Sequence, residues 1–495
     1  METIISIKPF FAVFISAISV ILIIASRENS NLRETWSAGA AVIKFLVILS
    51  MAPEVFAGNN IEFSLVTLFP GLSIKFRVDA LGLMFGLTAS FLWILTTFYS
   101  IGYMRSLKEH AQTRYYACFA ATLSATIGAA FAANLFTLFL FYEIITMVTY
   151  PLVAHKETPE AYEGAGKYIW YLVGSSKLLL LPALILTYVL AGTLNFKAGG
   201  IFSGDLVTQE SFILKVVFFL FLFGFAKAAI MPFHNWLPSA MVAPTPVSAL
   251  LHAVAVVKVG VFSIARTIYF VFGPETLQSL DLGTVTAYIA AFTIIVSSVI
   301  ALTKDNLKAR LAYSTISQLS YIVLGMAMLT TSGMTGGMVH ITIHAFSKIT
   351  LFFCAGAIYV AAHKTKVSEL NGIGKQMPWT MAAFSIGSMN MIGVPLFAGF
   401  ISKWYLALGS IEANDIFLLL VLFVSTLLNA CYFLPIVYSA YFKKLPAGEV
   451  AEVKEAPIYM VVPLLITAVG TVLLFLNPSY VLELARIVLS APAGG

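Results

Sequence analysis

One apolar segment of membrane-spanning length follows another along this chain, with no soluble domain between them. A spanning helix needs about 20 mostly apolar residues, and about fourteen segments meet that measure. They centre near Phe14, Val47, Ser90, Ser124, Ile145, Leu178, Phe221, Val254, Ile294, Ile322, Thr350, Met391, Leu427 and Ile466. The longest polar stretches, residues 191–209 and 443–456, are only loop-sized. Of the 495 residues 60% are hydrophobic and 11% charged, against roughly 25% charged in a soluble domain. The solvent of such a chain is the bilayer. The first segment, residues 4–24, lacks a basic leader and is long for a signal peptide, so it is expected to stay as a helix. Cys118, Cys354 and Cys431 lie in apolar runs with neither disulfide nor metal spacing and read as small packing residues.

Lys and Arg sort unevenly between the loops. With the N-terminus outside, sixteen fall on the inner side, among them Arg33, Arg105, Arg114, Lys156, Lys308 and Lys364. Seven fall on the outer side: Lys8, Lys75, Arg77, Lys197, Lys215, Arg266 and Arg486. The bias predicts both termini on the outer face of a cell membrane.

The other six cations, Lys44, Lys177, Lys227, Lys258, Lys348 and Lys403, lie inside hydrophobic runs. A cation at the bilayer centre costs at least about 2.5 kcal/mol, and by default marks an ion path. Lys44 is close enough to a segment end to snorkel. Among 23 Asp and Glu, only Glu143 reads as deep within a span. Glu143 beside buried lysines suggests a pair whose members shift each other's ionisation, or a static bridge that fixes helix packing. Five deep lysines and no deep arginine favour proton chemistry, because a desolvated lysine can release its proton and an arginine cannot.

On the eleventh span His340, His344 and Lys348 recur every four residues and so share one helix face. Three titratable groups in such a stripe read as a proton wire. Two His at that spacing could also hold zinc, but the missing carboxylate and cysteine ligands argue against a metal.

Two spans carry breaks. Pro232 and Pro238 stand six residues apart after Lys227, and Pro395 and Gly399 interrupt the segment before Lys403. Irregular backbone at membrane depth is tolerated only when buried in protein or lining a wet cavity. Breaks in the seventh and twelfth spans suggest two inverted five-helix repeats.

The run Met231–Gly260, with Pro232, His234, Trp236, Pro238, His252 and Lys258, resembles the signature of antiporter-like subunits shared by complex I, Mrp-type cation/proton antiporters and membrane-bound energy-converting hydrogenases. Residues 76–82, 307–318, 344–352 and 399–403 are similar to the same family, and the resemblance spans roughly residues 70–440. It implies an all-α membrane fold of about fourteen helices, with the N-terminal helices in residues 1–110, inverted repeats in 111–270 and 280–445, and a last helix and tail in 446–495. It implies that Glu143 and Lys227 pair, that Lys258 is the central relay, that His340, His344 and Lys348 continue it, and that Lys403 is the terminal charged position. His234 and His252, inside the signature, join the candidate proton-translocating set. Lys177 has no place in the family pattern and reads as an extra relay group or a structural partner of Glu143. Ser239 stands where many members carry an acidic loop residue.

The function these readings imply is translocation of protons, with sodium as a second candidate cargo, by one subunit of a larger membrane complex. The partners would be other membrane subunits, including small Mrp-like ones. The parent would be an Mrp-type antiporter or the Mrp-like module of a hydrogenase-type redox complex, with a complex I-type NADH:quinone oxidoreductase as the alternative. No phosphate loop, cysteine cluster or haem motif appears, so no cofactor is expected on this chain.

Overall fold

The computed structural model describes residues 2–69, 72–445 and 454–490. The polar stretch 443–456 lies mostly outside them, as do the side chains of Leu251 and His252. Nine helices among the described residues are long and apolar enough to cross a membrane, from Lys8–Ala25 to Ile458–Leu476. Between them lie further helices, including Gln112–Ala130, Ser211–Gly224, Val256–Arg266, Leu307–Ala327, Pro378–Ile392 and Ala398–Glu412. Several begin on a residue whose short polar side chain accepts from the first turn. Asp79 takes the Gly82 amide, Asn134 that of Thr137 and Thr330 that of Gly333. These caps satisfy amides that have no partner within the helix.

The 32-residue helix Thr331–Ala362 is the central post. Ala80–Ser106, Leu307–Ala327, Pro378–Ile392, Ala398–Glu412 and Ile458–Leu476 all pack on it. Gly336 and Gly337 permit this crowding. A Cβ on Gly336 would lie 2.9 Å from the Leu406 amide nitrogen, and one on Gly337 would lie 2.8 Å from the Ile322 carbonyl. Small residues let membrane helices approach backbone to backbone.

Three sequence expectations change here. The chain is not wholly helical: β1 (Thr3–Ile5), β2 (Asn60–Phe69) and β3 (Leu72–Val78) form one sheet, with β1 parallel and β3 antiparallel to β2. Ile4 and Ile5, read as the start of the first span, belong to this sheet, and that helix starts at Lys8. Lys44 does not snorkel. Packing of neighbouring helices encloses it completely, and its amine donates to the carbonyls of Val13 and Leu123 at 3.3 Å each.

Candidate functional site

The first cluster forms around Leu135–Val153. Lys227 ends its chain on this helix: Nζ donates to the Tyr142 carbonyl at 2.8 Å and to Thr146 Oγ1 at 2.7 Å. It also lies 3.2 Å from the centre of the Tyr142 ring, a contact that favours a cation. The expected pair between Glu143 and Lys227 is not the one formed. Lys177 Nζ stands 2.8 Å from Glu143 Oε2 instead. A π-helical turn, Ser176–Leu180, carries Lys177 on the neighbouring helix. Such turns shift side-chain register by one residue and frequently mark functional sites. The pair lies toward the rim of the bundle, with the Glu143 side chain 12% and the Lys177 side chain 48% exposed.

The chain leaves its helix at Gly224, makes a short 3-10 turn at Ala226–Ala228, and passes the cis peptide Met231–Pro232. Trp236 Nε1 donates back to the Ala226 carbonyl at 3.0 Å and pins the break. Val256–Arg266 runs against the same turn. Any Cβ on Gly260 would lie 2.2 Å from the Ala228 nitrogen and 2.4 Å from the Lys227 carbonyl carbon. Glycine is therefore the only residue that lets the helix carrying Lys258 press on the turn carrying Lys227.

Lys258 and His344 meet at the centre. Nζ is 2.8 Å from His344 Nδ1 and both residues are enclosed. The His344 and His340 rings follow at 5.7 Å between centres. His340 contacts Ser402 Oγ through Nδ1 at 2.8 Å and Gln318 Oε1 through Nε2 at 3.0 Å. Gln318 reaches Asn429, and Asn429 bonds Tyr432, whose hydroxyl reaches Ser314 at 3.1 Å. Lys348 donates to that same Ser314 at 2.9 Å and to the Leu311 carbonyl at 3.0 Å. The His340–His344–Lys348 stripe is thus joined at its far end through neighbouring helices. Buried polar groups in such a network are costly unless satisfied, and most of these are.

Lys403 lies one step beyond. It stands 5.3 Å over the Tyr321 ring, which in turn meets the His340 ring edge-on at 5.6 Å. Its amine donates to the Ile392 carbonyl at 2.8 Å and to Thr426 at 3.3 Å. Ile392 is the last residue of Pro378–Ile392, so Lys403 caps the freed carbonyl of the broken helix. Gly393 sits at φ +87°, and a Cβ there would meet Lys403 Cδ at 2.7 Å.

Two candidates stand apart from this chain of contacts. His234 is half-buried in the turn after the first break, 6.5 Å from the Tyr313 ring, and is not hydrogen-bonded to the lysines. His252 falls in the π-helical turn Leu250–Val254, and its side chain lies outside the described residues.

Several buried ion centres escaped the sequence reading, two of them at helix starts. Arg266, sorted there to the outer loops, is 1% exposed and grips Asp79 with both guanidinium nitrogens, one bond measuring 2.7 Å. Glu34 is likewise buried and held by Arg105. Glu143 is therefore not the sole enclosed acid, nor are lysines the sole enclosed cations. Both acids occupy helix starts that looked solvent-facing until other segments folded over them. The polar residues Gln318, Asn429, Ser402 and Tyr432 were missed as well, although two amides inside apolar helices are a visible signal.

Residues 132–429 match the family model described as NADH:quinone oxidoreductase/Mrp antiporter, transmembrane. The chain belongs to this family. It is a multi-pass integral membrane protein. The NADH-quinone oxidoreductase subunit N of Desulforudis audaxviator is 33% identical over 429 residues, covering 82% of each chain. Among solved structures, the Mrp complex from Dietzia sp. superposes with a TM-score of 0.87 at 21% identity, covering 98% of this chain and 96% of that one. An archaeal membrane-bound sulfane sulfur reductase superposes with a TM-score of 0.84 at 23% identity, covering 98% of each chain. At these identities the two structures speak for a shared fold. All the charged candidates from Glu143 to Lys403 fall inside the family match.

Proposed function

We propose that this chain translocates protons as one subunit of a multisubunit membrane complex. The observation that carries the reading is the enclosed series Lys258–His344–His340, continued through Tyr321 to Lys403 by ring contacts. Each titratable member can gain or lose a proton, and enclosing such groups is costly in a purely structural bundle. If Lys258 carries the proton, His344 Nδ1 accepts its hydrogen bond, and transfer leaves an imidazolium beside a neutral amine. His340 is the next ring in line. Protons would enter from the Glu143–Lys177–Lys227 cluster, cross to Lys258 where Gly260 packs on the first break, and leave near Lys403. Sodium is the second candidate cargo.

In this reading all fourteen apolar segments span the membrane, with both termini outside and inverted repeats in residues 111–270 and 280–445. The support is the pair of broken helices, each with a lysine at the break. Three cations read as inner, Lys156, Lys308 and Lys364, line one cavity, while Arg77 and Lys197, read as outer, line another.

The parent is an Mrp-type antiporter or the Mrp-like module of a redox-driven complex. The likeness to both solved assemblies supports this pair, and the relative from Desulforudis audaxviator favours a complex I-type parent as the alternative. Copurification from native membranes separates them: redox subunits with iron–sulfur centres would accompany the chain in one case and only small membrane subunits in the other. The transport test uses the purified complex in proteoliposomes. His344→Phe should assemble normally and lose pH-gradient-driven transport. Parental rates in that variant would refute the relay.

A further inference from the structure

Away from the lysine network, two loops bring three metal-ligating side chains together. Glu109 and His110 lie in the connection between Ala80–Ser106 and Gln112–Ala130, and His155 follows Leu135–Val153. His155 Nε2 is 3.8 Å from Glu109 Oε2, and His110 Nδ1 is 4.0 Å from the same oxygen. One donor atom from each of the three residues lies within 4.8 Å of the others.

His155 is the unusual member. It is 0% exposed, and neither ring nitrogen has a hydrogen-bond partner among the described residues. Buried imidazoles normally find a partner, and an unsatisfied one asks for an explanation such as an ion or a water. Nothing else in the loops supplies it. Arg114 is already committed to Glu157 at 2.5 Å and to the His155 carbonyl at 3.2 Å. The His110 ring lies along His155 with centres 4.8 Å apart and cannot offer it a hydrogen bond from that position.

We propose that Glu109, His110 and His155 form a binding site for a zinc-class divalent cation that clamps the two loops together. Two imidazoles and one carboxylate are a donor set that zinc accepts, with a fourth position left for water. Tetrahedral zinc with ligands near 2.0–2.1 Å needs donors about 3.4 Å apart, so the three atoms close by roughly 0.4–1.4 Å on binding. The His110 side chain is 48% exposed and free to make most of that movement. Glu157 Oε1, 4.0 Å from His110 Nε2, adds a second negative charge at the rim. Arg114 and Lys156 stand close to His155, and the two imidazole donors suit zinc better than calcium or magnesium, which prefer oxygen. Lys156, next to His155, lines the cavity shared with Lys308 and Lys364, so the clamp would hold one wall of that cavity.

The test is metal binding by the whole purified complex after chelator treatment, with Zn²⁺ and Co²⁺ as probes. The parent should take up one equivalent more per chain than a His110→Ala variant, and Co²⁺ should give the intense visible bands of a tetrahedral site. His110→Ala and Glu109→Gln should each weaken binding by at least about tenfold, the loss that removing even an outer partner of a metal site brings. His110 is at the surface, so this variant tests the site even if His155→Ala fails to assemble. Equal zinc uptake by parent and His110→Ala, or octahedral cobalt spectra in both, would overturn the proposal. The readout does not involve transport and stands or falls separately from the proton relay.

Discussion

Lys258 Nζ and His344 Nδ1 are in hydrogen-bond contact at 2.8 Å, although 86 residues separate them and both are sealed inside the bundle. A lysine in this position can hand its proton to the imidazole. An arginine would keep the charge and hold its proton at every working pH. Lys258→Arg should therefore be nearly as inactive as Lys258→Ala, with transport reduced roughly 100-fold, the usual worth of a positioned acid–base group. The measurement is pH-gradient-driven flux in proteoliposomes containing the whole complex. Normal turnover by the arginine variant would reduce Lys258 to a fixed charge.

Glu143 makes its ion pair with Lys177, while Lys227 rests on Tyr142 and Thr146. Glu143→Gln and Lys177→Ala should consequently be coupled, the double variant transporting about as well as the worse single one. Glu143→Gln and Lys227→Ala should show a weaker coupling. Contacting groups typically couple by about 0.5–3 kcal/mol and distant ones add. If Lys177→Ala combined additively with Glu143→Gln, the pair would be incidental to transport.

Lys403 caps the broken end of Pro378–Ile392 through the Ile392 carbonyl. Lys403→Ala should block transport yet leave membrane insertion and the partner subunits unchanged. Lys403→Glu keeps a titratable group and should retain partial flux. An alanine variant as fast as the parent would move the exit elsewhere.

Gly260 is where the two lysine-bearing segments touch, with a prospective Cβ 2.2 Å from the Ala228 nitrogen. Gly260→Ala must push the Lys227 turn away, at a cost of about 1–3 kcal/mol for overpacking. Loss of transport should exceed loss of thermal stability, because the Lys227–Lys258 relation is disturbed before the fold is. Unchanged flux would show that the spacing of these segments has slack.

In the sheet, Glu62 holds Lys75 at 2.5 Å and Arg77 at 2.6 Å. Burial opposes the ionised form, but the two cations more than reverse it and keep the carboxyl below its usual range. A carboxyl with a depressed folded-state pKa stabilises above its unfolded value of about 4.3, and that stability drains away as pH falls below it. Glu62→Gln should lower the thermal midpoint at neutral pH and flatten its decline in acid. The same acid slope in both proteins would exclude Glu62 as its source.

That long apolar segments follow one another was legible in the sequence, and nine of them stand as helices of spanning length among the described residues, because length and apolarity are properties of consecutive residues. So were the enclosed Lys227, Lys258 and Lys348, the His340–His344–Lys348 stripe and both helix breaks, since a proline or a four-residue spacing acts locally, whereas Lys177, read as deep, stands at the rim. Partner choice was not. Whether Glu143 meets Lys177 or Lys227 depends on a π-helical turn and on how three helices lean together. Arg266 looked like a loop cation until Asp79 and a shell of aromatic rings closed over it. Lys44 lies near the end of an apolar run, and only the packing of other helices denies it water. The link from Lys348 to His340 through Ser314, Tyr432, Asn429 and Gln318 draws on three separate helices. Hydropathy and periodicity report what one helix needs from its solvent. Burial, ion pairing and the continuity of a proton path depend on which helices become neighbours, and that is decided by tertiary packing.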